Sequence, residues 1–289
     1  MDTNALQAFV AVAEAGSFSR AAEQLFLTQS AISKRISLLE QQLNSRLFDR
    51  IGRRINLTEA GQNLLPRAHR ILMELADARR SLESLSGEVA GTLSIAASHH
   101  ISLHRLPPIL RQFANDCPNV TLDLRFDESE IAYDNVLKGN LEIALITLSP
   151  HPDENILAQT IWQDKLRYVI APDHPLAQLD SVSLEQLTRY PAILPGSTTF
   201  TRQIAQHQFS ELGLSPDIAM STNYLDTIRM MVEIGLGWSL LPETMTQPLK
   251  VLNTNTPPMT RDLGYIVHKE RTLSNAARYF IDLLRRQER

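Results

Sequence analysis

Apolar positions recur every three or four residues in three short bursts over the first 43 residues. Leu6, Phe9, Val10, Val12 and Ala13 share one face of a helix expected over residues 4–15, and Gly16 ends it. A second helix is expected over residues 20–25 with Ser19 as its N-cap. A third follows from Thr28, again a good N-cap, through Ala31, Ile32, Ile36, Leu39 and Leu43. The short turn between the last two helices gives the helix-turn-helix pattern. Small Ala21 and Ala22 let those helices pack closely. Residues 47–57 then alternate around Gly52 like a small β-hairpin, which in this position is a wing.

From Thr58, an N-cap followed by Glu59, a long helix begins. Leu64, Ala68, Ile71, Leu75, Ala78, Leu82 and Leu85 alternate in spacings of four and three, a heptad seam. About 28 helical residues would reach roughly 40 Å. Pro66 predicts a kink or one lost hydrogen bond. The seam fits a coiled coil between chains; the alternative is a helix buried against its own domain. After Gly87 and Gly91 the pattern changes to short apolar runs that read as strands, at 93–97, 120–126, 143–146, 166–171 and 238–241. Helical patterns lie between and beyond them, at 103–115, 129–138, 201–212, 224–234 and 274–285. This alternation predicts an open α/β fold with largely parallel sheets.

Charge sharpens the picture. The net charge of −4 argues against a nucleic-acid partner, yet its distribution argues for one. Lys34, Arg35, Arg46, Arg50, Arg53 and Arg54 face only Glu40 and Asp49 in that stretch. A solvated helix face is the plainer reading of such a cluster. No apolar run approaches the roughly 18 residues of a membrane span. The start has neither a basic nor an uninterrupted apolar region, so the cytoplasm is expected. A single cysteine, Cys117, excludes an internal disulfide and a multi-cysteine zinc site.

The run from Ala8-Phe9-Val10 through Gly16-Ser17-Phe18-Ser19-Arg20-Ala21-Ala22, then Thr28-Gln29-Ser30-Ala31-Ile32-Ser33, Leu38-Leu39-Glu40 and Thr58-Glu59-Ala60-Gly61, resembles the LysR-type transcriptional regulators. Pro172-Asp173-His174-Pro175 and the segment from Gly235 to Pro242 look like later landmarks of that family. The resemblance implies an α + α/β protein: a winged helix-turn-helix at 1–58, a linker dimerisation helix at 59–90 and an effector-binding domain at 91–289. That domain would be periplasmic-binding-protein-like, with one lobe at 91–164 and 265–289 and the other at 165–264. It further implies a dimer of dimers, contact with RNA polymerase, and neither cofactor nor enzymatic activity.

The recognition helix presents Gln29, Ser30, Ser33, Lys34 and Ser37 opposite its apolar face. N-terminal residues of such a helix meet base edges in the major groove of double-stranded DNA. Gln29 suits adenine and Ser33 either base type. Lys34 stands where many family members carry arginine, and as a point charge it is less suited to bidentate guanine reading. Arg50, Arg53 and Arg54 on the wing suit phosphates. Ser19, Thr28 and Arg35 complete the expected DNA contacts. Capping by Gln29 and Ser30, and an internal ion pair for Arg50, are the bland alternatives.

Ser98 lies between a strand and a helix expected near Ile101, whose free amides favour anions. The resemblance implies a cleft lined by this junction, by Thr147 and by residues 197–202. Ser98, His99, His100, Thr147, Thr199, Thr201 and Arg202 are therefore expected to hold a small-molecule effector, a carboxylate or another small anion. Capping or loop bonding is the alternative for each. His100 and His104, four apart, also invite a metal reading. No carboxylate or cysteine close in sequence completes that set, so a surface or interface role is expected for them. An effector-independent regulator, or a solute-binding or enzymatic α/β protein, remains the alternative function.

Overall fold

The computed structural model describes residues 2–51, 54–84 and 87–286, apart from the side chains of residues 50, 51, 54, 83 and 84. The chain divides into two compact units, Met1–Ser86 with Lys138–Asn140, and Gly87–Leu137 with Leu141–Arg289.

In the first unit, helices α1 (Thr3–Ala15), α2 (Phe18–Gln24) and α3 (Gln29–Leu43) precede antiparallel strands β1 (Phe48–Ile51) and β2 (Arg54–Leu57) and a long helix, α4 (Glu59–Ser84). Helix α2 starts earlier than expected. Gly16 closes α1 in the left-handed region at φ 60°, leaving Ser17 as the extended residue before the next turn. Ser17, not Ser19, is the cap: its Oγ accepts from the Arg20 amide at 3.4 Å, and Ser19 lies exposed within the helix. Burial of Phe18 against Phe48, ring centroids 5.9 Å apart, anchors that earlier start.

Phe9, Phe18, Phe48, Ala21, Ala22, Ile32, Ile36 and Leu39 fill the core of this unit. Three local devices seat the wing on it. The Leu47 amide donates to Glu40 Oε1 at 2.7 Å. The Thr58 hydroxyl donates to the Arg46 carbonyl at 2.7 Å and accepts from the Gly61 amide at 3.0 Å. A Cβ at Gly61 would lie 2.2 Å from the Leu47 carbonyl oxygen, so only glycine fits. Helix α4 runs through Pro66 for 26 residues, about 39 Å. Its seam is divided. Ala68 is buried and Leu64 and Ile71 half-buried in the helical core, whereas Leu75 is 41% and Leu82 70% exposed. Leu85 lies outside the described residues.

The second unit runs β3 (Gly91–Ala97), α5 (His99–His104), α6 (Leu106–Asp116), β4 (Val120–Phe126), α7 (Ser129–Leu137), β5 (Ile143–Thr147) and β6 (Ile156–Ile170). It continues with α8 (Leu184–Leu187), β7 (Ala192–Leu194), α9 (Phe200–Ser210), β8 (Ile218–Ser221), α10 (Leu225–Glu233) and β9 (Ser239–Pro242). Strands β10 (Lys250–Val251) and β11 (Met259–His268) and helix α11 (Asn275–Arg285) complete it. The main sheet has the order β10-β6-β11-β5-β3-β4, with β9 also on β6. Strand β3 is parallel to β4 and β5, but β6, β9, β10 and β11 pair antiparallel, so the sheet is mixed rather than largely parallel.

Long β6 and β11 cross between two lobes. Ile161 and Tyr265 belong to the core of the first, with Ile95, Phe113 and Phe280. Leu166, Tyr168 and Ile170 belong to the core of the second, with Phe209 and Trp238. The single helix expected over 103–115 is two. Pro107 and Pro108 lack amides and fit only the first turn of a helix, so the chain breaks at Arg105 and restarts at Leu106. Cys117 is buried in the first lobe.

The turn between α2 and α3 carries a cost. Phe26 has φ 52° and is 95% exposed, and a bulky residue in the left-handed region loses roughly 1–2 kcal/mol. Its side chain has little packing to lose. Phe26→Gly is expected to raise the unfolding free energy by roughly 0.5–1 kcal/mol in denaturant titrations; a lower midpoint would contradict this reading of the turn.

Candidate functional site

Two surfaces carry the candidate chemistry, one in each unit. In the first, Thr28 starts α3: its Oγ1 accepts from the Ala31 amide at 3.2 Å and lies 3.0 Å from Ser30 Oγ. Both hydroxyls are engaged in the cap. Gln29 and Lys34 are exposed, and Ser33 and Arg35 half-buried. Neither Lys34 nor Arg35 forms an ion pair among the described residues, so the first two turns of α3 keep their positive charge free. Arg53, and the side chains of Arg50 and Arg54, lie outside the described residues.

In the second unit a cavity of about 290 Å³ opens between the lobes. Ser98, His99, His100 and Thr147 line it from the first lobe; Thr199 and Thr201 line it from the second. Parallel strands deliver the first group. Ser98 follows β3 and Thr147 ends β5, so both sit at carboxyl ends, where open α/β sheets bind ligands. Helix α5 begins at His99, earlier than expected, with Ser98 extended before it. Ser98 makes no side-chain capping bond and is among the residues that line the cavity. Thr199 caps α9: its Oγ1 accepts from the Arg202 amide at 3.1 Å and donates to the Gly196 carbonyl at 2.9 Å.

Arg202 departs from expectation: it is buried and absent from the lining. Its guanidinium is packed within the protein, where burial lowers its pKa, rather than among the groups that line the cavity. The guanidinium that lines the cavity is Arg261, on β11. It is held by side chains of the protein itself. Its Nε and Nη2 donate to Asp164 Oδ2 at 3.1 and 2.8 Å, and its Nη1 donates to Thr201 Oγ1 at 3.2 Å. Arg105 Nη2 donates to the other Asp164 oxygen at 3.1 Å. His100 Nε2 stands 3.2 Å from Oδ2.

His100 is therefore buried, at 8% exposure, and not a surface residue. Burial pushes its imidazole below the ordinary value even though Asp164 pulls the other way. Burial also works against the Asp164 carboxylate, but His100 and Arg261 outweigh it and hold the carboxyl well below the usual range. His100 Nδ1 has no hydrogen-bond partner among the described residues. His104 is half-exposed, 3.9 Å from Asp226, and the His99 ring meets Tyr224 edge-on at 5.1 Å. Among the described residues no group of three or more His, Cys, Asp or Glu is placed to hold a metal ion.

Sequence reasoning missed the acidic side of the cavity, Asp127, Glu128 and Glu130, together with Asn223 and Tyr224. The signal was present. Strand β4 had been read from the sequence, and the rule that points past β3 and β5 points equally past β4.

Two family models match the chain. One describes a bacterial regulatory helix-turn-helix protein of the lysR family, over residues 3–62. The other describes a LysR substrate binding domain, over residues 86–289. An uncharacterized HTH-type transcriptional regulator from the ibpB-leuC intergenic region of Azotobacter vinelandii is 65% identical over 108 residues, 37% of this chain and 75% of that protein. A probable nitrogen assimilation transcriptional activator of Synechococcus elongatus is 30% identical over 288 residues, covering 97% and 93% of the two chains. Among solved structures, a full-length, singly substituted OxyR from Pseudomonas aeruginosa superposes with a TM-score of 0.69 at 22% identity, covering 100% and 95%.

The buried cluster sets two expectations. Asp164→Ala would strand the Arg261 charge and cost about 3–5 kcal/mol of stability; a loss below about 1 kcal/mol would contradict the pairing. Because the His100 pKa is lowered on folding, the unfolded chain takes up the proton first as pH falls. The stability that neutral His100 contributes is full above about pH 6.5 and is lost between there and its lower folded pKa. Melting temperatures from pH 8 to 5.5 should fall less in His100→Gln than in wild type; equal slopes would contradict it.

Proposed function

Since the chain belongs to the LysR family and is a DNA-binding transcriptional regulator with an effector-binding domain, we propose that paired copies read an interrupted dyad with their α3 helices. The observation that carries this is the capped start of α3, which leaves Gln29 and Lys34 exposed beyond Thr28. Gln29 reads adenine, Ser33 a neighbouring base edge, and Lys34 a guanine edge or a phosphate. Ser19, Arg35, Arg50, Arg53 and Arg54 hold the backbone, while Thr28 and Ser30 fix where the helix begins.

Residues 1–58 form the DNA-binding part, 59–90 the linker and 91–289 the sensor, with lobes at 91–164 plus 265–289 and at 165–264. The pairing helix of the linker, α4, ends at Ser84 and is shorter than expected because residues 87–90 are not helical. The exposed half of the α4 seam, Leu75 and Leu82, supports pairing between chains. Two such dimers assemble into a tetramer in the cytoplasm and act on RNA polymerase. The effector is a small molecule with an anionic group, seated against Ser98, His100, Thr147 and Thr201 at the Arg261 end of the cleft. It regulates by binding two assemblies with different affinity, since equal affinity would shift nothing.

Fluorescence anisotropy on operator DNA tests the first part. Lys34→Ala should weaken binding to all sequences and reduce the salt slope by about 1, whereas Gln29→Ala should cost about 1–3 kcal/mol on the operator alone. Wild-type behaviour from both variants would remove α3 as the reader. Leu75→Glu combined with Leu82→Glu should convert dimers to monomers in sedimentation; unchanged dimers would put the pairing surface elsewhere. A thermal-shift screen in which acids and matched neutral compounds act alike would end the anion reading.

A further inference from the structure

Two features of the cleft suited to an anion are already satisfied by carboxylates of the chain itself. Arg261 is held by Asp164. The other is the start of α9, an 11-residue helix whose Thr199 cap serves the Arg202 amide. The first amides of a helix have no partner within it. In α9 the first, from Phe200, donates to Glu130 Oε1 at 2.6 Å. Glu130 stands on α7, in the opposite lobe, so this bond spans the cleft. The Phe200 ring meets Tyr133 of α7 edge-on at 5.8 Å and packs on the first-lobe core. Buried His100 lines the same cavity, its Nδ1 unpartnered among the described residues.

We propose that Glu130 is an internal stand-in for the effector: it occupies the α9 amide from across the cleft, latches the lobes, and is displaced when an anionic effector binds. The inference rests on the anion reading above and adds the regulation of that site. The groups facing Glu130 fix the sign of its pH dependence. Asp127 and Glu128 share its turn, His99 and His100 lie on α5, Tyr224 precedes α10, and Arg261 comes from β11 with its charge bound to Asp164. Two of these are like charges. Burial also pushes the Glu130 carboxyl above its ordinary range. Acidification therefore discharges Glu130 before an exposed carboxylate and eases entry of an anion that remains ionised.

Hydrogen-exchange mass spectrometry of the full-length protein tests the latch without any ligand. Glu130→Ala should speed exchange in the peptide that starts α9 about tenfold. Glu130→Gln, which keeps an acceptor oxygen, and Asp127→Asn, which leaves the bond intact, should change it less than threefold. Calorimetry with oxalate and sulfate then tests displacement: Glu130→Ala should bind at least tenfold tighter than wild type at pH 8, with a smaller gap at pH 5.5. Glu130→Gln, which keeps the bond and loses only the charge, should fall between the two. Unchanged exchange in Glu130→Ala overturns the latch. Equal anion affinity in wild type and both variants overturns displacement while leaving the anion reading intact. Faster exchange with no anion bound by any of the three proteins overturns displacement and the anion reading together.

Discussion

The Asp164 carboxylate, buried on a strand that crosses between the lobes, is the interaction on which the sensor half depends. A charge removed from water loses several kcal/mol of hydration and is kept only where opposing charges and donors surround it. Here they come from three elements: Arg261 on β11, Arg105 at the break between α5 and α6, and His100 on α5. Satisfying one carboxylate thus fixes β11 beside β6, the rotation of α5, and the point where two helices part. It also bears on what the cleft offers, because Arg261, which lines it, is bound to Asp164 and Thr201. Such a cluster adds little net stability compared with apolar packing. Its contribution is to allow one arrangement of the cleft.

The N-terminal unit solves a different problem, that of holding a short helix and a hairpin at fixed angles with few residues. Local bonds do this. Glu40 reaches from α3 to the amide that opens the wing, and Thr58 ties the chain before the wing to the first turn of α4. Gly61 lets that turn lie against the Leu47 carbonyl. These are the motif residues Leu-Leu-Glu and Thr-Glu-Ala-Gly, and each has a mechanical reason for its type. Helix α4 then serves two masters: its first turns complete the helical core, and its later seam leaves leucines open.

Legibility followed the same division. The N-terminal helices could be read because caps, glycines and helical spacing coincide there, and the one slip, Ser19 for Ser17, is a shift of two residues within Ser17-Phe18-Ser19. Strands β3 and β5 could be read because their apolar runs are nearly continuous, and β4 because Val120, Leu122, Leu124 and Phe126 alternate with polar residues. The first half of β6 could not, since Gln159, Thr160, Gln163 and Asp164 break the run for the sake of the cleft and the lobe crossing. Strand β11 hides for the same reason behind Thr260, Arg261 and Asp262. Arg202 stands out in the sequence through its proximity to Thr199 and Thr201, whereas Arg261, 97 positions from its partner Asp164, does not.

The proposed scheme joins the two halves: α3 side chains whose spacing would be set by paired α4 helices, and a cleft whose closure an effector would contest. Recovery of sheared genomic DNA from the source organism, by the wild-type protein and by a Gln29→Ala, Lys34→Ala double variant in parallel, tests the central claim most directly. The account predicts a small set of fragments enriched by the wild type, sharing an interrupted dyad, and absent from the double variant. No enrichment over random fragments, or the same set recovered by both proteins, would contradict it.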